Sequence, residues 1–357
     1  MILSYSVHDR GISHAARNLP CQDSFKILDC EHGFKVAAIA DGLGSCAYSQ
    51  LSSRAVTDSV TEFIRNHFPR FPGIPSLVSL MITAMNDAEK SVYRLIKDGE
   101  DITIDDLHTT LSICLFDGNR LIYGHSGDGI IIGLEEDGSY TVICEPIKGG
   151  KSNMTCPFTY GSGYWHVDVV DRPFASVLLA TDGIGDVVYP LFMRPEHEVV
   201  MSHAAFFMHP KQLGICESTE PKRLEELGEA TLKAIRNPDN SDWCEVDDDL
   251  TAVVLINTTA NPPEVENWQT SDYLKTKLRA FYTDDESDSE NDAVTMSEET
   301  EDVSYARVAP DTESLSPDVL KDNSGGPRVE ESDMKKGDKG LFARIWGHSS
   351  QNKEGGE

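Results

Sequence analysis

Five aspartates in this chain stand beside short apolar runs of strand character: Asp23, Asp41, Asp128, Asp182 and Asp248, the last inside the run 247–249. Taken singly, each also fits a turn or helix-capping aspartate. Their recurrence at strand ends suggests more, because strand ends hold a carboxylate rigidly. Five carboxylates gathered in one place repel one another strongly enough to demand cations. All-oxygen ligands without histidine or cysteine select hard ions, Mg²⁺ or Mn²⁺ rather than zinc. Two such ions about 3.5–4 Å apart can generate hydroxide at neutral pH and clamp a transferring phosphoryl group.

The elements needed to present them are legible in the residue pattern. The stretch FKVAAIADGLGS (34–45) is a short apolar run that ends at Asp41 and breaks at glycines, which predicts a buried strand followed by a sharp turn. LLATDGIGD (178–186) repeats the arrangement around Asp182. Strands are also expected over 2–7 and 24–28, and a buried one over 251–256. Val56, Val60, Phe63 and Ile64 mark one amphipathic helix; Leu77, Leu80, Met81, Ala84, Ala88 and Leu95 mark a second. A proline-rich break at 69–75 separates them, and Leu224, Leu227 and Ala234 predict a later helix. Between 109 and 144 the period is two, with tight turns at Asp117-Gly118, Gly127-Asp128-Gly129 and Asp137-Gly138. That spacing predicts an antiparallel meander, since parallel strands need long crossovers. Residues 145–171 and 190–220 read as irregular, the first as a mobile surface loop. The sum is an α+β fold of antiparallel sheets carrying helices on their outer faces.

Composition limits the function classes. With 60 acidic against 31 basic residues and a net charge of −29, the chain has no long basic patch, so no nucleic-acid partner is expected. Eight scattered cysteines without a CxxC pair point to reduced thiols rather than a disulfide framework or zinc site. The start, MILSYSVHDRG, lacks a signal-peptide pattern, and no apolar run is long enough to span a membrane. A cytoplasmic protein is the expectation. A catalytic domain is expected over 1–260, an acidic, disordered linker over 261–334, and a short basic and aromatic segment over 335–357. Within the last, Lys335, Lys336, Lys339 and Arg344 flank Leu341, Phe342, Ile345 and Trp346. Residues 335–347 are therefore a candidate for docking a partner or an anionic membrane surface.

Five short motifs, CQD (21–23), ADGLG (40–44), GHSGDG (124–129), ATDGI (180–184) and DDLT (248–251), occur in the order found in the metal-dependent serine/threonine protein phosphatases. Over residues 1–257 the chain resembles that PPM, or type 2C, family, and the GISH…PCQD opening resembles its bacterial branch. The resemblance implies a four-layer αββα sandwich of two antiparallel sheets with a dinuclear Mn²⁺ or Mg²⁺ site, and room for a third ion. It implies that Asp41, Asp182 and Asp248 are the catalytic metal ligands. Asp41 bridges both ions, Asp182 and Asp248 bind the first, and the Gly42 carbonyl binds the second. Asp23 supports the second through water, and Asp128 helps hold the third. It further implies phosphoserine and phosphothreonine proteins as substrates, made by a cognate Ser/Thr kinase.

Departures from the family pattern qualify this. Gln22 replaces a common glutamate, and Asn18 stands where an arginine usually binds phosphate, leaving Arg17 or His14 as substitutes. Leu43 stands where animal members carry a histidine, and Asp249 where asparagine is common, so Asp249 competes with Asp248 as the ligand. Two other classes remain: a phosphatase-like regulatory module that binds without turnover, and a nucleotide or methyl-donor enzyme reading ADGLGS as a cofactor loop. The second lacks a full GxGxxG and a βαβ unit.

Overall fold

The computed structural model describes residues 1–99, 101–147, 155–237, 246–265 and 268–291. Its strands, in chain order, are β1 (Ile2–Asp9), β2 (Ser24–Asp29), β3 (Lys35–Ala40), β4 (Leu111–Phe116), β5 (Leu121–Ser126), β6 (Ile130–Leu134), β7 (Tyr140–Cys144), β8 (His166–Val170), β9 (Ser176–Ala180) and β10 (Leu250–Asn257). Its helices are α1 (Ile12–Ala16), α2 (Ser49–Asn66), α3 (Ile74–Asp98), α4 (Asp182–Val188), α5 (Met201–Met208), α6 (Pro210–Leu213), α7 (Pro221–Ile235) and α8 (Ser271–Asn291). One sheet has the order β1-β10-β9-β6-β7 and the other β2-β3-β4-β5-β8, and every pairing is antiparallel.

Three apolar layers join these elements. Ala37, Ile39, Phe116, Tyr123, Ile131, Leu179, Val253 and Leu255 fill the space between the sheets. Val56, Val60 and Ile64 of α2, with Leu77, Met81, Ala84 and Ala88 of α3, cover the outer face of the second sheet. Residues of α4, α5 and α7 cover the outer face of the first. Strands buried on both faces explain why β3, β4 and β9 read as continuous apolar runs rather than alternating ones. The architecture is the expected four-layer αββα sandwich.

Three details differ from the sequence reading. The strands between 109 and 144 do not form one meander: β5 pairs with β4 and β8, while β6 pairs with β7 and β9. The chain changes sheets at Gly127, whose φ of 112° is open to glycine. A Cβ there would also lie 2.5 Å from Thr110 Cβ. The stretch expected to be an irregular loop contains β8, an edge strand whose partner β5 lies far back in sequence. Finally, α5 and α6 occupy part of the segment expected to be irregular. Short helices with little amphipathic contrast, such as MSHAAFFM, leave no clear period to read.

The first compact unit runs from Met1 to Leu278, past the expected boundary at residue 260. Gln269 holds the added segment, accepting from Met201 N–H at 2.9 Å and donating to Val199 O at 2.9 Å. Lys277 pairs with Glu196 at 2.7 Å. Of the second unit, Arg279–Glu357, the described part is the end of α8. That helix lies in the stretch expected to be a disordered linker; the rest of the linker and the 335–347 patch lie outside the described residues. Among the described residues no helix is long and apolar enough to cross a membrane.

Candidate metal centre

The turn after β3 is built by hydroxyls from the neighbouring strand. Asp41 N–H donates to Thr110 Oγ1 at 2.9 Å, and Asp41 O accepts from Thr110 N–H and Thr109 Oγ1, each at 2.8 Å. Both soft ends of the Asp41 backbone are thereby fixed, leaving its carboxylate to project from the sheet end. Gly42 follows because nothing larger fits: a Cβ would lie 2.7 Å from Ser49 Cβ.

Carboxylate oxygens of Asp41, Asp128 and Asp182 converge to within 4.8 Å of one another. Asp128 arrives on the sheet-changing turn, with one oxygen accepting from Thr155 Oγ1. Its other oxygen is buried without a hydrogen-bond partner among the described residues, a costly state that an added cation would relieve. Asp182 is the first residue of α4, directly behind β9. Thr181, just before it, donates to Asp23 Oδ2 at 2.8 Å, which seats Asp23 beside the group. The neighbouring Asp23 and Asp41 carboxyls are close enough to influence each other's acidity.

Charge crowding shows in the acidities. Burial pushes the Asp41 carboxyl well above its usual range, and Asp23, Asp182 and Asp128 add to the shift. Burial does the same at Asp182, followed by the charges of Asp128, Asp186, Asp248 and Asp23. Asp23 is pushed up to about 7 by burial, against the opposing hydrogen bonds of Thr251 and Thr181. An acid with a raised folded-state pKa binds extra protons in the fold, so its contribution to stability is lost as pH rises. Without cations, the melting temperature of Asp23→Asn relative to the wild type should therefore climb as pH rises from 3.8 to about 7. A constant difference across that window would contradict the assignment.

Asp248 and Asp249 diverge. Asp249 is 3% exposed and turned inward: its oxygens accept from Gly11 N–H and Gln22 N–H, each at 2.6 Å. His14 Nδ1 lies 2.9 Å from Asp249 Oδ2, and a ring nitrogen of this buried histidine also lies within 4.8 Å of an Asp248 oxygen. Asp248 keeps an exposed side chain, accepting from Asp249 N–H at 2.8 Å, and its charge acts on Asp182. Its own carboxyl is raised first by desolvation in the surrounding cleft. Arg17 is exposed on the C-terminal side of α1 with Nε donating to Ser13 O at 3.2 Å. Gln22 is buried, its amide donating to Ser49 Oγ at 2.8 Å.

The structure thus gathers Asp41, Asp128 and Asp182, with Asp23 beside them and Gly42 next in the chain, while Asp248 groups with His14 and Asp249, one ligand atom of each lying within 4.8 Å of the others, and its charge is felt at Asp182. The sequence reading missed the threonines, Thr109, Thr110, Thr155 and Thr181, which orient the acids. Their signal was present in the Thr109-Thr110 pair just before β4 and in the Thr before Asp182, but hydroxyls at strand ends are too common to stand out. An all-carboxylate cluster with an unpartnered buried oxygen fits a hard divalent ion.

No curated protein matches the chain. Among solved structures it is similar to the serine/threonine phosphatase PstP/Ppp of Mycobacterium tuberculosis, with 19% identity over 71% of this chain and 98% of the other and a TM-score of 0.49. It is also similar to the serine/threonine phosphatase Stp1 of Staphylococcus aureus, with 14% identity over 72% and 95% and a TM-score of 0.48. A third is the catalytic domain of PstP in complex with 2 manganese ions, with 19% identity over 71% and 97% and a TM-score of 0.47. The family described as Protein phosphatase 2C matches residues 10–214, more than half of the chain and four of the five motifs. Asp248 lies beyond that match, yet the fold carries it to Asp182, and the chain belongs to the protein phosphatase 2C family.

Proposed function

We propose that the chain is a metal-dependent protein serine/threonine phosphatase that hydrolyses phosphoserine and phosphothreonine. The observation that carries this reading is the convergence of the Asp41, Asp128 and Asp182 carboxylates on one point. Two Mn²⁺ or Mg²⁺ ions held there would supply an activated water and clamp the phosphoryl group. Asp41 would contact both, Asp182 and Asp248 the first, and the Gly42 carbonyl the second. Asp23 would support the second, and Asp128 would hold a third. The raised acidities of Asp41, Asp182 and Asp248 mean that cation binding displaces protons. Affinity for the ions should then increase with pH. Thr109 and Thr110 fix the Asp41 turn, and Thr181 fixes Asp23. Arg17 is an exposed guanidinium suited to a phosphate oxygen, whereas His14 is buried beside Asp249. Lys148 and Lys151, the other nearby cations in sequence, lie outside the described residues. Phosphoproteins made by a Ser/Thr kinase in the cytoplasm complete the proposal.

The purified chain should hydrolyse phosphoserine and phosphothreonine peptides when Mn²⁺ or Mg²⁺ is added and stop when a chelator is added. Intact metal binding with no turnover above a metal-only control would favour the regulatory-module reading instead.

A further inference from the structure

Next to the Asp41 turn, the chain presents two large aromatic rings to solvent on a rigid support. Tyr160 is 49% exposed and Tyr164 48% exposed. They pack edge to face with centroids 5.6 Å apart. The segment carrying them is anchored from below. Phe158 is fully buried and stacks on Trp165 at 4.6 Å and 10°, while Trp165 Nε1 donates to Phe158 O at 2.8 Å. Phe158 N–H donates to Thr109 O at 2.8 Å, and Thr109 is the residue whose hydroxyl holds Asp41.

His108 makes the second link. Its carbonyl accepts from Leu43 N–H at 3.0 Å, two residues past Asp41. Its Nδ1 lies 2.7 Å from Thr159 Oγ1, and its ring meets Tyr160 edge to face at 5.2 Å. The exposed rings are therefore held in fixed register to the metal centre through two short chains of contacts. Such preorganisation lowers the entropy cost of binding.

Carboxylates flank the pair. Glu89 Oε1 lies 3.5 Å from where a Cβ on Gly161 would sit. Asp105 lies 3.6 Å from His108 Nε2, with its side chain 88% exposed. Electron-rich ring faces beside carboxylates favour a cation, and a planar guanidinium can stack on tyrosine while donating to a carboxylate. The net charge of −29 draws basic segments toward this surface from a distance.

We propose that Tyr160 and Tyr164, with Glu89 and Asp105, receive an arginine or lysine side chain flanking the phosphorylated residue of a peptide substrate, an inference that rests on the phosphatase reading above. Substrates of this site would then be phosphosites in basic sequence.

A phosphopeptide series tests this, with arginine, alanine or glutamate placed at each flanking position in turn and Mn²⁺ present. At one or more positions, kcat/KM with arginine should exceed that with alanine by about fivefold, and glutamate should be the poorest. The arginine-to-alanine ratio should fall to about one in a Tyr160→Ala/Tyr164→Ala variant and survive in Tyr160→Phe, which keeps the ring face. Anisotropy of labelled peptides on the Mn²⁺-loaded chain reads the same contact without turnover. No arginine preference in either measurement, or a preference that survives loss of both rings, would overturn the platform. Preferential binding of the arginine peptide with no hydrolysis of any peptide would overturn the phosphatase reading and leave the platform standing.

Discussion

Asp41→Asn should lower kcat on phosphopeptides by on the order of a thousandfold or more, while making the cation-free protein more stable at neutral pH. The two effects have one cause. Asp41 is half-buried among Asp23, Asp128 and Asp182, and its carboxyl is raised well above the usual range by desolvation first and those charges second. In the absence of ions, ionising it costs stability, and that cost grows with pH. An asparagine keeps the shape and has no proton to lose, so the variant should melt above the wild type at pH 8 in chelator. The gap should close toward pH 4, where both side chains are neutral. Added Mn²⁺ should reverse the order, because the wild type gains the binding free energy of the ions and the variant gains less. Asp182→Asn should behave alike, since burial and neighbouring carboxylates raise it too. Near-normal kcat at saturating Mn²⁺ in either variant would remove these residues from the catalytic centre. Calorimetric titration of Mn²⁺ separates lost binding from lost chemistry.

The ends of the strands were readable from sequence because a carboxylate after a fully apolar run is a sharp local break, as at Ala40-Asp41 and before Asp182. Helices α2 and α3 were readable because their apolar residues repeat at helical spacing over many turns. What failed was long-range pairing. Tight turns at 117–119, 127–129 and 137–138 look alike in sequence, yet the middle one changes sheets. The difference lies in the contact between Gly127 and Thr110, which no local pattern encodes. Edge strand β8 was lost for a similar reason: its ladder with β5 spans the whole of β6 and β7. Around the centre, the acids could be listed from their positions, but adjacent identical residues such as Asp248 and Asp249 could not be separated. Which of the two faces the cleft depends on where Gly11 and Gln22 come to rest, more than 200 residues earlier.

That separation yields the second large effect. Asp249 gathers two backbone N–H groups and His14 Nδ1 within 2.9 Å, joining the start of β10 to the segment between β1 and β2. Asp249→Ala leaves two buried amides without their acceptor and the His14 imidazole without its neighbouring carboxylate. Such a loss costs roughly 3–5 kcal/mol, a fall in Tm of about ten degrees for a domain of this size. Asp249→Asn keeps one acceptor oxygen and should fall between the alanine variant and the wild type. Cavity volume does not explain such an order, since asparagine and aspartate are nearly isosteric. Asp248→Asn should do the reverse: among the described residues its exposed side chain accepts a single local hydrogen bond, so Tm should barely move while Mn²⁺ affinity and turnover drop. The close approach of Gly11 to Asp248, where a Cβ would meet Asp248 C at 2.4 Å, makes Gly11→Ala a second probe. It should destabilise the same junction without touching a carboxylate. If Asp249→Ala instead keeps its Tm and loses metal binding, while Asp248→Asn stays active, then the two neighbouring acids hold the opposite roles.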